Sequence, residues 1–161
     1  MSDPRIIAGL RDSELTNELD GAELEALAAE MSLRELSQGE VLVAEGSVDD
    51  HLYVVVSGLL GVVKYAGTPE EDQKTLIRPG GVAGELAFID GAIRYASLVA
   101  LHPTVVLSLE RTRLEALVDV QPRLVYHLMR AIVRIVHAIQ RVQSMQSAEL
   151  TNYVYKVHGR Y

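Results

Sequence analysis

GELAFIDGAIRYAS (Gly84–Ser97) sets a carboxylate at Glu85 near one end of an apolar stretch and a guanidinium at Arg94 near the other. On either side lie short β-rich runs punctuated by glycine. LRELSQG, EVLVAEG, HLYVVVSG, LLGVVKYAG and QKTLIRPGG begin before it, while RYASLVAL and TVVLSLE carry the pattern onward. Runs of this length, with turn signals between them, argue for an antiparallel barrel or jelly roll over about residues 33–110. The quoted stretch then reads as a break in the roll where a short helix is inserted. Glu85 stands at the start of that helix, and Gly80, Gly81 and Gly84 let the backbone turn and approach a ligand closely.

Helices flank the roll. DGAELEALAAEM (Asp20–Met31) places Leu24, Leu27 and Ala28 on one face, with Asp20 and Glu23 spaced as a capping box. From Arg111 to about Gln146 the pattern is helical again, interrupted by Pro122, which suits the first turn of a new helix. The reading is one α+β domain over 1–161: an antiparallel β-roll, an N-terminal helix, and hinge and C-terminal helices over about 111–150.

Composition narrows the function. The chain has 161 residues, 48% hydrophobic and 23% charged, enough for one domain with a core. With no cysteine, disulfides, thiolate nucleophiles and Cys-ligated metals are excluded. A net charge of −7 repels phosphate polyanions, so direct DNA binding is not expected. No basic leader and no charge-free run of spanning length occurs, so a soluble, cytoplasmic protein without membrane contact is expected.

A phosphate-bearing ligand must therefore be small and held locally. The N–H groups at a helix start and the planar fork of Arg94 suit a phosphate. Glu85 cannot favour that phosphate, but it can accept a hydrogen bond from a sugar hydroxyl. Arginine for phosphate, glutamate for ribose and a small hydroxyl beside them describe a compact nucleotide.

GELAFIDGAIRYAS resembles the phosphate-binding cassette of the cyclic nucleotide-binding domain family, roughly G-E-L-A-[LI]-[IL]-x-x-x-P-R-x-A-[ST]. GEVLVAEGSVDDHLYVVVSG (Gly39–Gly58) is similar to the hairpin region of the same family. The resemblance covers roughly residues 15–145. It implies a β-roll with its cassette, a hinge helix after the last strand, and a final helix that can close over the purine. It also implies roles: Glu85 on the ribose 2′-hydroxyl, Arg94 on the cyclic phosphate, Gly84 with the Leu86 and Ala87 backbone near the sugar-phosphate, and Ser97 at the phosphate edge. The ligand would be a cyclic nucleotide, with no further cofactor.

Four residues depart from the pattern. Ile93 stands where proline is common, Ala83 replaces a large apolar residue, and Gly81 replaces aspartate. Tyr95 follows the arginine where a small residue is usual, leaving three placements open: turned away as core, in contact with the ligand, or across the pocket. The threonine that marks guanine preference is missing there, which favours cyclic AMP over cyclic GMP.

Other polar residues read as structural. Asp49 and Asp50 are expected to be solvated turn residues, and Gly39, Gly46, Gly58 and Gly61 to serve turns of the roll. His51, His102, His127, His137 and His158 are scattered, without the paired histidines of a metal-dependent β-roll enzyme. No nucleophile and base pair stands out, so neither an enzyme nor a metal site is expected.

The last helix carries a second signal. Val125, Leu128, Ile132, Ile135, Ile139 and Val142 recur at spacings of three and four, the seam of a two-stranded coiled coil. Met129, Val133 and Val136 form a stripe to one side. One stripe can pack on the roll while the other meets a second copy, giving a homodimer like that of the family's bacterial regulators. The alternative is a single wide face buried within one domain. After Ala148 only ELTNYVYKVHGRY follows, too short for a DNA-reading module, so the expected output is an unidentified effector protein. A nucleotide-free interaction module is the alternative function.

Overall fold

Alternation of side chains builds the framework in this computed structural model, which describes residues 2–158, the side chains of 151–153 and 155–158 excepted. Among the described residues eight strands form: β1 (Ser32–Leu36), β2 (Val41–Val43), β3 (His51–Ser57), β4 (Leu60–Lys64), β5 (Asp72–Ile77), β6 (Val82–Ala83), β7 (Ser97–Ala100) and β8 (Thr104–Glu110). They make two four-stranded sheets, in the orders β1-β8-β3-β6 and β2-β7-β4-β5, with antiparallel neighbours throughout. The seven runs marked in the sequence all contain strands. The two-residue β6, just before the cassette, is too short to leave a period.

Strand β3 shows how one sequence serves two cores. Tyr53 and Val55 point into an apolar cluster with Leu60, Val62, Leu98 and Val106, whose members come from both sheets. Leu52 and Val54 point the other way, to Leu10, Leu27, Leu107 and Leu128 beneath the helices. Period-2 alternation with both faces covered explains why HLYVVVS is apolar almost throughout. Each leucine fully buried in this way stabilises the fold by about 1.5–3 kcal/mol.

The helices are α1 (Pro4–Arg11), α2 (Gly21–Glu30), α3 (Glu85–Asp90), α4 (Arg111–Leu117) and α5 (Pro122–His158). The capping box of α2 forms as its spacing implies, Asp20 accepting from the Glu23 N–H at 2.8 Å and Glu23 from the Asp20 N–H at 3.1 Å. Helix α1 was not anticipated. Its signal was Asp3 followed by Pro4: the Asp3 side chain caps the Arg5 N–H at 2.9 Å, with proline just inside the helix. Pro122 does open α5, which continues past Gln146.

The proposed seam along α5 needs correction. Leu128 and Ile132 are fully buried in the chain's own core, with Val125 and Ile135 half-buried against the same cluster. The N-terminal helices take this face: Leu10, Leu15 and Leu27 belong to that cluster, and Glu18 pairs with Arg130 at 3.0 Å and also with Arg134. The His127 Nδ1 lies 3.0 Å from Glu23, which joins α2 to α5. Only Ile139 and Val142 of the six remain exposed, together with Val133, Met145 and Leu150. The side stripe also divides, since Met129 and Val136 pack on the core and Val133 does not. Among the described residues, no helix is long and apolar enough to cross a membrane.

Candidate functional site

The cassette is shaped by two left-handed glycines and tied down near its C-terminal end by main-chain bonds. Gly84 takes the left-handed conformation (φ 80°) as the N-cap of α3, and Gly91 repeats it (φ 70°) at the C-cap. Farther on, the Arg94 N–H donates to Ser47 at 2.9 Å and its carbonyl accepts from the Gly46 N–H at 2.7 Å. These bonds tie the cassette to the loop between β2 and β3. That loop carries Asp49 and Asp50.

Arg94 is the centre of the arrangement. Its side chain is 6% exposed. Nη1 donates to the Gly84 carbonyl at 2.9 Å, and Nη2 to the carbonyls of His51 at 2.6 Å and Asp49 at 3.1 Å. The Asp49 carboxylate lies 3.8 Å from Nη2. Nε, however, is buried without a hydrogen-bond partner. A buried charged donor without an acceptor is costly, and an acidic oxygen brought to it is correspondingly favoured.

Gly84 provides the room. A Cβ there would overlap Arg94 Nη1, so only glycine lets the backbone approach the guanidinium so closely. Glu85 follows, half-buried. Burial raises its carboxyl above the ordinary range, offset in part by a bond from its own backbone and by the charge of Arg94. No direct ion pair between Glu85 and Arg94 occurs. Glu85 is therefore left to accept from another donor, the chemistry a sugar hydroxyl offers. Leu86 is exposed and Ala87 buried, and both lie in the first turn of α3, where N–H groups have no partner inside the helix.

Ser97 is buried at the start of β7, where its Oγ accepts from the Glu45 N–H at 2.9 Å. The hydroxyl proton remains available to donate. Tyr95 is 66% exposed, which excludes the core placement. Its ring lies beside the Lys64 ammonium, 5.8 Å from the ring centroid.

Asp49 is not the solvated turn residue expected, whereas Asp50, its side chain 39% exposed, keeps contact with solvent. Asp49 is largely buried and accepts from the His51 N–H at 2.8 Å and from the Tyr53 hydroxyl at 2.7 Å. Burial raises its carboxyl, but these bonds and Arg94 outweigh burial and hold it below the ordinary range. Asp50 meets Arg111, the first residue of α4, through a main-chain bond of 2.9 Å and an ion pair of 3.3 Å. Adjacent aspartates thus reach the cassette arginine and the hinge helix. A pair of acids in a loop looks the same in sequence whether it is solvated or paired, and the paired cations lie 45 and 61 positions away.

Among the described residues, no group of three or more histidine, aspartate or glutamate side chains is placed to hold a metal ion. A groove of about 390 Å³ between α1 and β3, lined by Ala8, Gly9, Val56 and Gly80 among others, shares no residue with the cassette.

Comparison with known proteins bears on the family and the fold. The CRP-like cAMP-activated global transcriptional regulator of Mycobacterium tuberculosis is 26% identical over 109 residues, 68% of this chain and 49% of that protein. The chain thus spans about half the length of that relative. Among solved structures, the N-terminal domain of a transcriptional regulator from Streptomyces coelicolor A3(2) is 30% identical with a TM-score of 0.71, over 81% of this chain and 94% of that one. The regulatory subunit of a cAMP-independent protein kinase A from Trypanosoma brucei is 26% identical with a TM-score of 0.61, over 73% and 44% of the two chains. The family described as cyclic nucleotide-binding domain matches residues 33–121, more than half of the chain. The chain belongs to the cyclic nucleotide-binding domain family.

Proposed function

We propose that the protein is a cytoplasmic, non-enzymatic sensor that binds a cyclic nucleotide, cyclic AMP before cyclic GMP, and relays occupancy through its C-terminal helix to an effector protein. The observation that carries this reading is the Arg94 guanidinium, buried with Nε unpartnered and seated against a glycine whose Cβ it would otherwise strike. Cyclic phosphate oxygens supply the missing acceptor. Glu85 accepts the ribose 2′-hydroxyl, the Leu86 and Ala87 backbone approaches the sugar-phosphate, and Ser97 donates to the phosphate edge. The cAMP-activated regulator among the relatives supports cyclic AMP as the ligand.

Arg94 already points inward, so the ligand exchanges its acceptors rather than drawing it from solvent. Phosphate competes with Asp49 for the guanidinium, and Asp50 next to it holds Arg111 on α4. A shift in this loop therefore reaches the hinge and then α5. A tenfold population shift requires about 1.4 kcal/mol of differential affinity. Charge-assisted bonds of about 1.5–3 kcal/mol each supply that. The exposed distal face of α5, with Ile139 and Val142, is the surface offered to a second copy.

The test is calorimetric titration of the protein with cyclic AMP and cyclic GMP, with Arg94→Leu as control. Saturable binding at micromolar affinity or tighter, about −8 kcal/mol, that disappears in the variant supports the sensor. No heat from folded, unoccupied protein overturns it.

A second reading has its own observation. The Arg94 guanidinium already meets three carbonyls and lies near Asp49, so the protein itself can replace much of a phosphate's role. The chain would then be a nucleotide-free interaction module. Independence from cyclic AMP, though not the lack of any nucleotide, is named for the kinase regulatory subunit among the structural neighbours.

A further inference from the structure

Tyr95 of the cassette and three side chains beside it, Glu45, Lys64 and Tyr65, form a cluster to which the proposed function above assigns no role. The Glu45 Oε1 accepts from Lys64 Nζ at 2.5 Å and its Oε2 from the Tyr65 N–H at 2.8 Å. Both charged side chains are only 26% exposed, whereas Tyr65 and Tyr95 are 53% and 66% exposed. The Lys64 ammonium lies 5.3 Å from the Tyr65 ring centroid and 5.8 Å from that of Tyr95.

Backbone strain marks the same place. Tyr65 has φ 55°, the only positive φ of a non-glycine residue among those described. An aromatic residue is disfavoured in that region, and such strain persists only where surrounding bonds impose it. Here the Glu45 carboxylate fixes the N–H of Tyr65, while Thr68 fixes its carbonyl through Oγ1 at 2.7 Å and N–H at 3.2 Å. The cluster also adjoins the phosphate end of the site. The Glu45 N–H is on Ser97, the Gly46 N–H on the Arg94 carbonyl, and Tyr95 follows Arg94 in the chain.

We infer that the Glu45–Lys64 ion pair reads the edge of an adenine base, with the Tyr95 ring as its stacking face. This rests on the reading of the site as a cyclic nucleotide site. A lysine ammonium has three donors and a carboxylate about four acceptor positions, so after their mutual bond and that to Tyr65 the pair still offers a donor beside an acceptor. Adenine presents the complement, an N7 acceptor beside an N6 amine donor. Guanine presents two acceptors, N7 and O6, and its O6 would face the Glu45 carboxylate. An exposed tyrosine face next to such a pair suits the flat ring of a purine whatever its substituents.

The probes are cyclic AMP and cyclic inosine monophosphate, which exchanges the amine at position 6 for a carbonyl. Titrated into the full chain, cyclic AMP is expected to bind about tenfold more tightly, as one well-made bidentate base contact discriminates. In Glu45→Gln and in Lys64→Met, each checked by circular dichroism, that ratio falls to within about threefold of unity. Tyr95→Ala weakens both nucleotides and keeps the ratio. A ratio unmoved in both charge variants overturns the base-reading role, even if both lose affinity. If the wild-type chain binds neither nucleotide, the nucleotide site itself is refuted, and the base-reading role falls with it.

Discussion

The Arg94 guanidinium donates to the carbonyl of Gly84 from the position that a side chain on Gly84 would fill. The two residues are ten apart in sequence and define one cradle. Gly84→Ala should therefore act twice. Its left-handed φ of 80° costs an alanine about 1–2 kcal/mol. The added methyl also displaces the guanidinium, so nucleotide affinity should fall by more than tenfold. Urea denaturation and calorimetry measure the two effects separately. Full affinity with Arg94 intact would show that the close approach is dispensable.

Asp49 should make stability depend on pH. Its folded-state pKa is depressed because the bonds from Tyr53 and His51 and the charge of Arg94 together outweigh burial. Such a group contributes stability that is fully present above its unfolded value and lost as pH falls through the folded one. Asp49→Asn should thus cost about 1–3 kcal/mol near neutral pH. The difference from wild type should shrink once pH drops below the ordinary value of 3.8. Denaturation curves at several pH values test this, and a pH-independent difference would assign the cost to packing.

Glu85 carries the opposite sign. Burial raises its pKa, so ionising it in the folded chain opposes stability above the ordinary value of 4.5. A ribose hydroxyl donates to the ionised form. Affinity for a cyclic nucleotide should therefore weaken as pH is lowered through the raised pKa, beginning above 4.5, while the chain stays folded. Glu85→Gln should bind more weakly near neutral pH, show a flatter pH profile, and be at least as stable without ligand. Titrations between neutral and mildly acidic pH decide it, and an unchanged profile in the variant would remove Glu85 from the ligand.

These residues show what a sequence of this kind exposes. The β-roll was legible because glycines punctuate its strands, and the cassette because Gly84, Glu85 and Arg94 keep a characteristic spacing. The part played by Asp49 was not legible. Its depth depends on Tyr53 of β3 and Arg94 of the loop between α3 and β7 converging on it, and no local pattern records that meeting. The lone Tyr95 gave no orientation for the same reason, since its neighbour Lys64 comes from β4. Helix α1 left a signal in Asp3 and Pro4, but eight residues with a mixed composition gave too short a period to count.

Helix α5 shows how a real periodicity can have two owners. Leu128 and Ile132 continue the spacing into Ile139 and Val142, yet the first pair is covered by the chain's own N-terminal helices and the second pair by nothing within the described residues. The two halves should respond differently to substitution. Ile132→Ala removes a fully buried side chain and should destabilise the fold by about 2–5 kcal/mol. Ile139→Glu combined with Val142→Glu places charges on exposed positions and should leave thermal stability of the isolated chain nearly unchanged. If the distal face joins two copies, that double variant should sediment as a monomer at concentrations where the wild type is a dimer. A double variant that remains a dimer would move the interface elsewhere, whereas a monomeric wild type would leave the distal face to an effector protein.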